Sequence, residues 1–181
     1  GNMKTVILGT SGGGKSTLAQ FLGQQEGADV LHLDQVHFLP GWVERPQEEE
    51  AAIVERFLDT HTAWVIDGNY SNTCYERRLE EADRIVVLWF GPWTCLGRAV
   101  RRWWENRGAV RDSSAPGCEE KIDWEFIRWI LHDGRTAQKR AKMEALGTRY
   151  PEKFVMLTNQ KQLDAYKKSL ELDFGTHSTR P

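Results

Sequence analysis

Short apolar runs alternate with amphipathic stretches along the chain, the pattern of an α/β domain built on a parallel sheet. The runs cover residues 4–8, 30–33, 63–66, 84–90 and 153–157. The fourth is almost wholly apolar, as expected of a central strand covered on both faces. Between the runs the spacing predicts helices. One follows directly on the first run, over 17–22. Another starts at Pro46 and carries i,i+4 pairs among Ile53, Val54, Phe57 and Leu58. A short helix holds Arg77 and Arg78. Gly91-Pro92 ends the fourth run and opens a helix to about residue 106. One long helix is predicted over 123–145, with Phe126/Ile130 and Ile127/Leu131 pairs. Asn159, with Gln162 three residues on, reads as the capping box of the last helix.

Residues 107–120 are the one long irregular stretch, which suits a lid or a disordered tip. The expected organisation is a single domain over 3–174 with a lid insertion at about 103–134. Residues 175–181 are polar and expected to fray. Gly1-Asn2 ahead of Met3 reads as the remnant of a cleaved tag. No internal repeat is visible.

Composition changes this picture little. The 181 residues are 40% hydrophobic and 28% charged, which is ordinary for one globular domain with a sizeable core. A net charge of −2 gives no global pull towards nucleic acid or an anionic membrane. The three cysteines (Cys74, Cys95, Cys118) are far apart and contain no C-x-x-C pair. That argues against a zinc site or a disulfide framework and fits a reducing compartment. No apolar run approaches the ~18 residues of a membrane span, and no signal-peptide pattern opens the chain, so a cytoplasmic location is expected.

The chemistry concentrates where the first run meets the first helix. Gly9-Thr10-Ser11-Gly12-Gly13-Gly14-Lys15-Ser16 fits the phosphate-binding pattern G-x-x-x-x-G-K-[ST], placed between strand and helix as the mechanism requires. The glycines let backbone N–H groups turn towards phosphate oxygens, and the helix start adds donors and a positive dipole end. Residues 9–16, with Thr17 next in the helix, are therefore expected to bind a nucleoside triphosphate, ATP. Lys15 would lie over the β- and γ-phosphates, and the Ser16 hydroxyl would ligate Mg²⁺.

Two acids end strands. Asp67 closes the third run, where α/β sheets bind ligands, and reads as a Mg²⁺ ligand or as an N-cap. Asp34 closes the second run and reads as an acid that orients or deprotonates an acceptor hydroxyl, or as a turn residue. His32 reads as a packed strand residue. His37 could line an acceptor pocket with Phe38 and Trp42. The acids at 44, 48, 49, 50, 55 and 59 read as a solvated helix face.

Residues 98–142 hold eleven basic residues against seven acids, either a solvated surface or cations that close over phosphates. Arg98 and Arg102 lie one helical turn apart and share a face. With Arg135 they are candidates to neutralise the transferring group. Trp103, Trp104, Trp124 and Trp129 interleave with these cations. Packing between lid helices is the favoured reading over base stacking.

Several pieces beyond the phosphate loop resemble the bacterial DNA topology modulation proteins, small P-loop proteins similar to adenylate kinase. They are His32-Leu-Asp34, Pro40-Gly-Trp42, Ile66-Asp-Gly-Asn-Tyr70, Ala82-Asp83 and Lys121-Ile-Asp-Trp-Glu-Phe126. The resemblance implies a five-stranded parallel sheet in the order 2-3-1-4-5 flanked by helices. It also implies an acceptor segment after the second strand and a lid after the fourth. It assigns Asp67 to the Mg²⁺ shell, Arg98 and Arg102 to base and phosphates, and the loop at Asn159 to the neighbourhood of the base. The chain departs from the family at Trp89-Phe90-Gly91-Pro92-Trp93, where members often carry an acid followed by Pro-Arg. Two functions follow. One is phosphoryl transfer from ATP·Mg²⁺ to an unidentified small-molecule acceptor. The other is a nucleic-acid-associated ATPase or regulator, supported by the basic, tryptophan-rich region and the family name.

Overall fold

A computed structural model describes residues 2–106 and 122–178. In chain order the elements are β1 (Lys4–Gly9), α1 (Lys15–Glu26), β2 (Asp29–His32), α2 (Leu33–His37), β3 (Phe38–Leu39), β4 (Val43–Glu44), α3 (Gln47–Thr60), β5 (Trp64–Asp67), α4 (Tyr75–Glu81) and β6 (Arg84–Leu88). They continue with α5 (Pro92–Asn106), α6 (Trp124–Leu131), a 3₁₀ turn (Asp133–Arg135), α7 (Ala137–Arg149), β7 (Phe154–Leu157) and α8 (Gln160–Ser178).

The long strands form one five-stranded sheet in the order β2-β5-β1-β6-β7, with every pairing parallel. Counted along the sheet-forming strands, this is the order 2-3-1-4-5 expected from the resemblance. The short β3 and β4 form a separate antiparallel hairpin.

Both faces of the sheet are covered, which explains the unbroken apolar runs. Val6, Leu8, Ile66, Ile85 and Val87 point to one face, where Val54 and Leu58 of α3, Leu79 of α4, and Met143 and Leu146 of α7 meet them. Ile7, Val65, Val86 and Leu88 point to the other, against Leu18 and Leu22 of α1, Cys95 and Ala99 of α5, Ile130 of α6 and Leu163 of α8. A central parallel strand therefore has no polar side to show.

Three expectations need correction. The single helix over 123–145 is two helices, broken after Leu131. Asp123 caps α6 by accepting from Phe126 N at 2.8 Å, and Thr136 caps α7 by accepting from Lys139 N. The break contains Gly134, which packs so close to Trp129 that a Cβ there would stand 2.9 Å from the Trp129 carbonyl oxygen. The second run, expected to extend through Leu33, stops at His32, because Leu33 starts α2 and carries Asp34 into its first turn. Trp104, Trp124 and Trp129 are not core fillers. All three are exposed, Trp124 by 74%.

The helix α8 reaches Ser178, into the stretch expected to fray. The expected lid loop, residues 107–120, falls outside the described residues. Among the described residues no helix is long and apolar enough to cross a membrane.

Candidate active site

The glycine loop joins β1 to α1 at the carboxyl edge of the sheet, and its neighbours fix its shape. Gly9 has φ +140°, and a Cβ there would lie 2.0 Å from the Leu88 carbonyl oxygen. Thr10 N donates to that same oxygen at 2.9 Å, which ties the loop to the end of β6. Gly12 has φ +74°, and its missing side chain makes room for the Cys95 carbonyl of α5. Gly14, also left-handed, is the N-cap of α1, and no side chain caps that helix. Its first N–H groups thus remain directed at the loop, as an anion site requires. Lys15 Nζ folds back to donate to the carbonyls of Gly9 at 3.1 Å and Thr10 at 3.3 Å, across the loop's concave side.

Asn69 holds the loop from the strand alongside. Its Oδ1 accepts from Gly9 N at 2.9 Å and its Nδ2 donates to Gly9 O at 2.7 Å. The motif around Asn69 was visible in the sequence, but its role was not. Nothing in the spacing says that residue 69 reaches residue 9.

Asp67 ends β5 opposite His32, its register partner at the end of β2. The carboxylate is only 6% exposed, and its Oδ2 takes a short hydrogen bond from His32 Nδ1. His32 is therefore packed, as expected, but it also orients this acid. Asp34 accepts from the Tyr70 hydroxyl. Burial, and then the Asp34 charge, push the Tyr70 hydroxyl well above the ordinary phenol range, so Tyr70 remains a donor. Its ring lies 4.5 Å from that of His37, which in turn meets Phe38 edge-on, and Phe38 meets Trp42. His37 Nδ1 also pairs with Glu50 Oε2 at 3.0 Å, and Thr73 Oγ1 donates to Glu50 Oε1 at 2.9 Å.

Glu50 corrects the reading of the acidic run as a solvated face, because it is buried, at 3% exposure. A signal was there: Glu50 shares the four-residue spacing of Val54 and Leu58, and so the inner face of α3. Arg78, fully buried, was also missed as a site residue. It donates to the carbonyls of Thr73 (3.0 Å), Gly68 (3.4 Å) and Tyr70, and so shapes the loop that carries Asn69 and Tyr70. Its neighbour Arg77 pairs with Asp59 and Glu81.

On the other side of the loop, Arg98 Nη1 donates to Gly13 O at 3.1 Å and Nη2 to Gln160 Oε1, with the guanidinium 4.5 Å above the Phe90 ring. Arg102 is half-buried one turn further along α5. Arg135 donates to Ile130 O and Phe90 O, each at 2.9 Å, while its Nη2 is buried with no hydrogen-bond partner among the described residues. Trp129 Nε1 donates to Ser11 Oγ at 2.9 Å, and the Lys139 ammonium sits 4.1 Å above that indole. The helix α6, which follows the expected lid loop, thus reaches the phosphate loop. Asn159 accepts from Gln162 N at 2.9 Å as the cap of α8, beside the residue that Arg98 holds.

The chemistry of two residues expected to hold Mg²⁺ fits that ion. Ser16 and Asp67 offer hard oxygens, and a magnesium ion shared with phosphates and water takes only one or two protein ligands.

Fold and loop together define the class: an α/β protein with a five-stranded parallel sheet in the order 2-3-1-4-5 and a P-loop between its first strand and first helix. No family model and no curated protein matches the chain. Among solved structures it is similar to shikimate kinase from Acinetobacter baumannii in complex with shikimate. That match has 15% identity and a TM-score of 0.54, and covers 96% of this chain and 94% of that one. It is also similar to shikimate kinase from Bacteroides thetaiotaomicron, at 16% identity and a TM-score of 0.52 over 93% and 96% of the two chains. A gluconokinase from Sinorhizobium meliloti 1021 aligns at 14% identity with a TM-score of 0.49, over 98% of each chain.

Proposed function

We propose that the protein is an ATP·Mg²⁺-dependent phosphotransferase that moves the γ-phosphoryl group to a hydroxyl of a small-molecule acceptor. The observation that carries this reading is one edge of one sheet. The glycine loop, Asp67 and Asp34 all lie at the carboxyl ends of β1, β5 and β2 or just beyond them. Ligands of open α/β sheets bind at that edge.

Residues 9–17 would hold the triphosphate, with Lys15 on the terminal phosphates. Ser16 and Asp67 would hold Mg²⁺, which when bound shields phosphate charge. Asp34 would accept the proton of the acceptor hydroxyl, and the Tyr70 hydroxyl fixes the carboxylate for it. A carboxylate has about four lone-pair sites, so one bond from Tyr70 leaves capacity for a second donor. Arg98, Arg102 and Arg135 would supply positive charge to the transferring group, and Asn159 would lie near the base. The finer resemblance to the topology modulation proteins rests on the sequence motifs alone. The DNA-linked alternative gains no supporting contact among the described residues. A cytoplasmic site of action fits the reading.

Calorimetric titration with ATP·Mg²⁺ tests the donor site. Lys15→Ala should weaken affinity by about tenfold to a hundredfold, the worth of a charge-assisted hydrogen bond. Unchanged affinity refutes the site. Turnover is tested by ADP formation. Stimulation by small hydroxyl compounds supports transfer, and stimulation by DNA selects the alternative.

A further inference from the structure

The acceptor side of this crevice has a chemical character of its own. Beside Asp34 stand the rings of Tyr70, His37, Phe38 and Trp42, each in contact with the next, and the carboxylates of Glu44 and Glu50 flank His37. His37 is held between two of these acids, with Nδ1 at 3.0 Å from Glu50 and Nε2 at 3.6 Å from Glu44.

The cations on the neighbouring elements each have partners of their own. Arg45 Nε donates to Val36 O at 2.7 Å and Nη1 lies 4.0 Å from Glu49. Arg77 pairs with Asp59 and Glu81. Arg78 is fully buried beneath the loop, with its fork spent on three backbone carbonyls. An acceptor bearing a phosphate or carboxylate is ordinarily gripped by a guanidinium, often through two parallel bonds. Like charges brought together at a binding surface instead disfavour binding. Among the described residues, Asp34, Glu44 and Glu50 instead put carboxylates beside these rings. Aromatic faces and carboxylates suit another ligand: a carbon skeleton that lies flat on the rings, with hydroxyl or ammonium groups that donate to the acids.

We infer that the acceptor is a hydroxyl compound without phosphate or carboxylate, neutral or cationic, lying against the His37–Tyr70 and Phe38–Trp42 rings. This rests on the phosphotransferase reading above. The reaction balances simply: the acceptor O–H loses its proton to Asp34, its oxygen bonds the γ-phosphorus, and the bond to the β-phosphate oxygen breaks to leave ADP.

The test uses the whole chain, ATP labelled in the γ-phosphate, and a bacterial metabolite extract split on an anion-exchange resin at neutral pH. The flow-through holds neutral and cationic compounds, and the retained fraction holds phosphates and carboxylates. Lys15→Ala serves as the blank, and shikimate is a defined carboxylate probe. The expected result is at least tenfold more labelled organic product from the flow-through than from the retained fraction, and none from shikimate. Labelling that follows the retained fraction, or both alike, overturns the inference and keeps the phosphotransferase. Label released only as inorganic phosphate, or no turnover with either fraction, overturns the phosphotransferase and the inference with it.

Discussion

Replacing Arg78 with methionine is the sharpest probe of how the loop that carries Asn69 and Tyr70 is held. The side chain is fully buried and faces no carboxylate at hydrogen-bond distance. Burial pushes its guanidinium down from the usual arginine range to about 10. That displacement is worth about 3 kcal/mol, the cost of keeping the charge inside. Methionine recovers this cost. Against it stand two well-formed bonds, to Thr73 O at 3.0 Å and to Tyr70 O, and a long one of 3.4 Å to Gly68 O. Charge-assisted bonds contribute about 1.5–3 kcal/mol each, and each carbonyl left unpaired in the interior costs about 1–3 kcal/mol more. The bonds outweigh the desolvation, and the net expectation is a loss of at least about 2 kcal/mol. For a chain of this size that lowers Tm by about 4 °C or more. Lysine keeps the charge but not the planar fork, so Arg78→Lys should fall between the wild type and the methionine variant. Differential scanning calorimetry reads all three. A methionine variant that melts within about 1 °C of the wild type would refute the claim that this guanidinium sustains the loop.

Asn69→Ala removes both bonds to Gly9 and should cost about 1–3 kcal/mol of stability. It should also weaken ATP affinity about tenfold through lost preorganisation. Unchanged calorimetric binding would show that the loop holds its shape without it. Two glycines make a matched pair. Gly12→Ala would bring a Cβ to 2.6 Å from the Cys95 carbonyl, whereas Gly27, also left-handed at φ +65°, has no atom within 4 Å. Gly12→Ala should abolish measurable ATP binding. Gly27→Ala should cost only about 1 kcal/mol and leave binding intact. Equal effects of the two on affinity would contradict the packing argument.

Much of this was legible in the sequence, for identifiable reasons. Sheet strands buried on both faces leave near-continuous apolar runs, so all five were visible, and the glycine loop carries its own local pattern. The break between α6 and α7 was hidden because Phe126/Ile130 and Ile127/Leu131 keep helical spacing up to the break. Only the capping bonds of Thr136 and the tight packing at Gly134 show the chain stopping. Exposed tryptophans could not be foreseen, since a large ring in an amphipathic helix ordinarily faces inwards. The roles of Asn69 and Arg78 depend on partners brought near by the sheet, and no local spacing records such partners. Glu50 was legible in principle from its place on the Val54–Leu58 face of α3, but its charge argued for solvent.

The bracket that Asn69 places around Gly9 also bears on how portable the phosphate loop is. Residues 9–16 look like a self-contained cassette that could be cut out and set between another strand and helix. Here Leu88 and Cys95 occupy the space that side chains at Gly9 and Gly12 would need, Arg98 grips Gly13, and Asn69 clamps Gly9 from 60 positions away. A graft of the eight residues alone would leave all of these behind. The smallest transplantable unit is the loop together with the ends of three neighbouring elements, so modularity in this protein belongs to the sheet edge rather than to the motif.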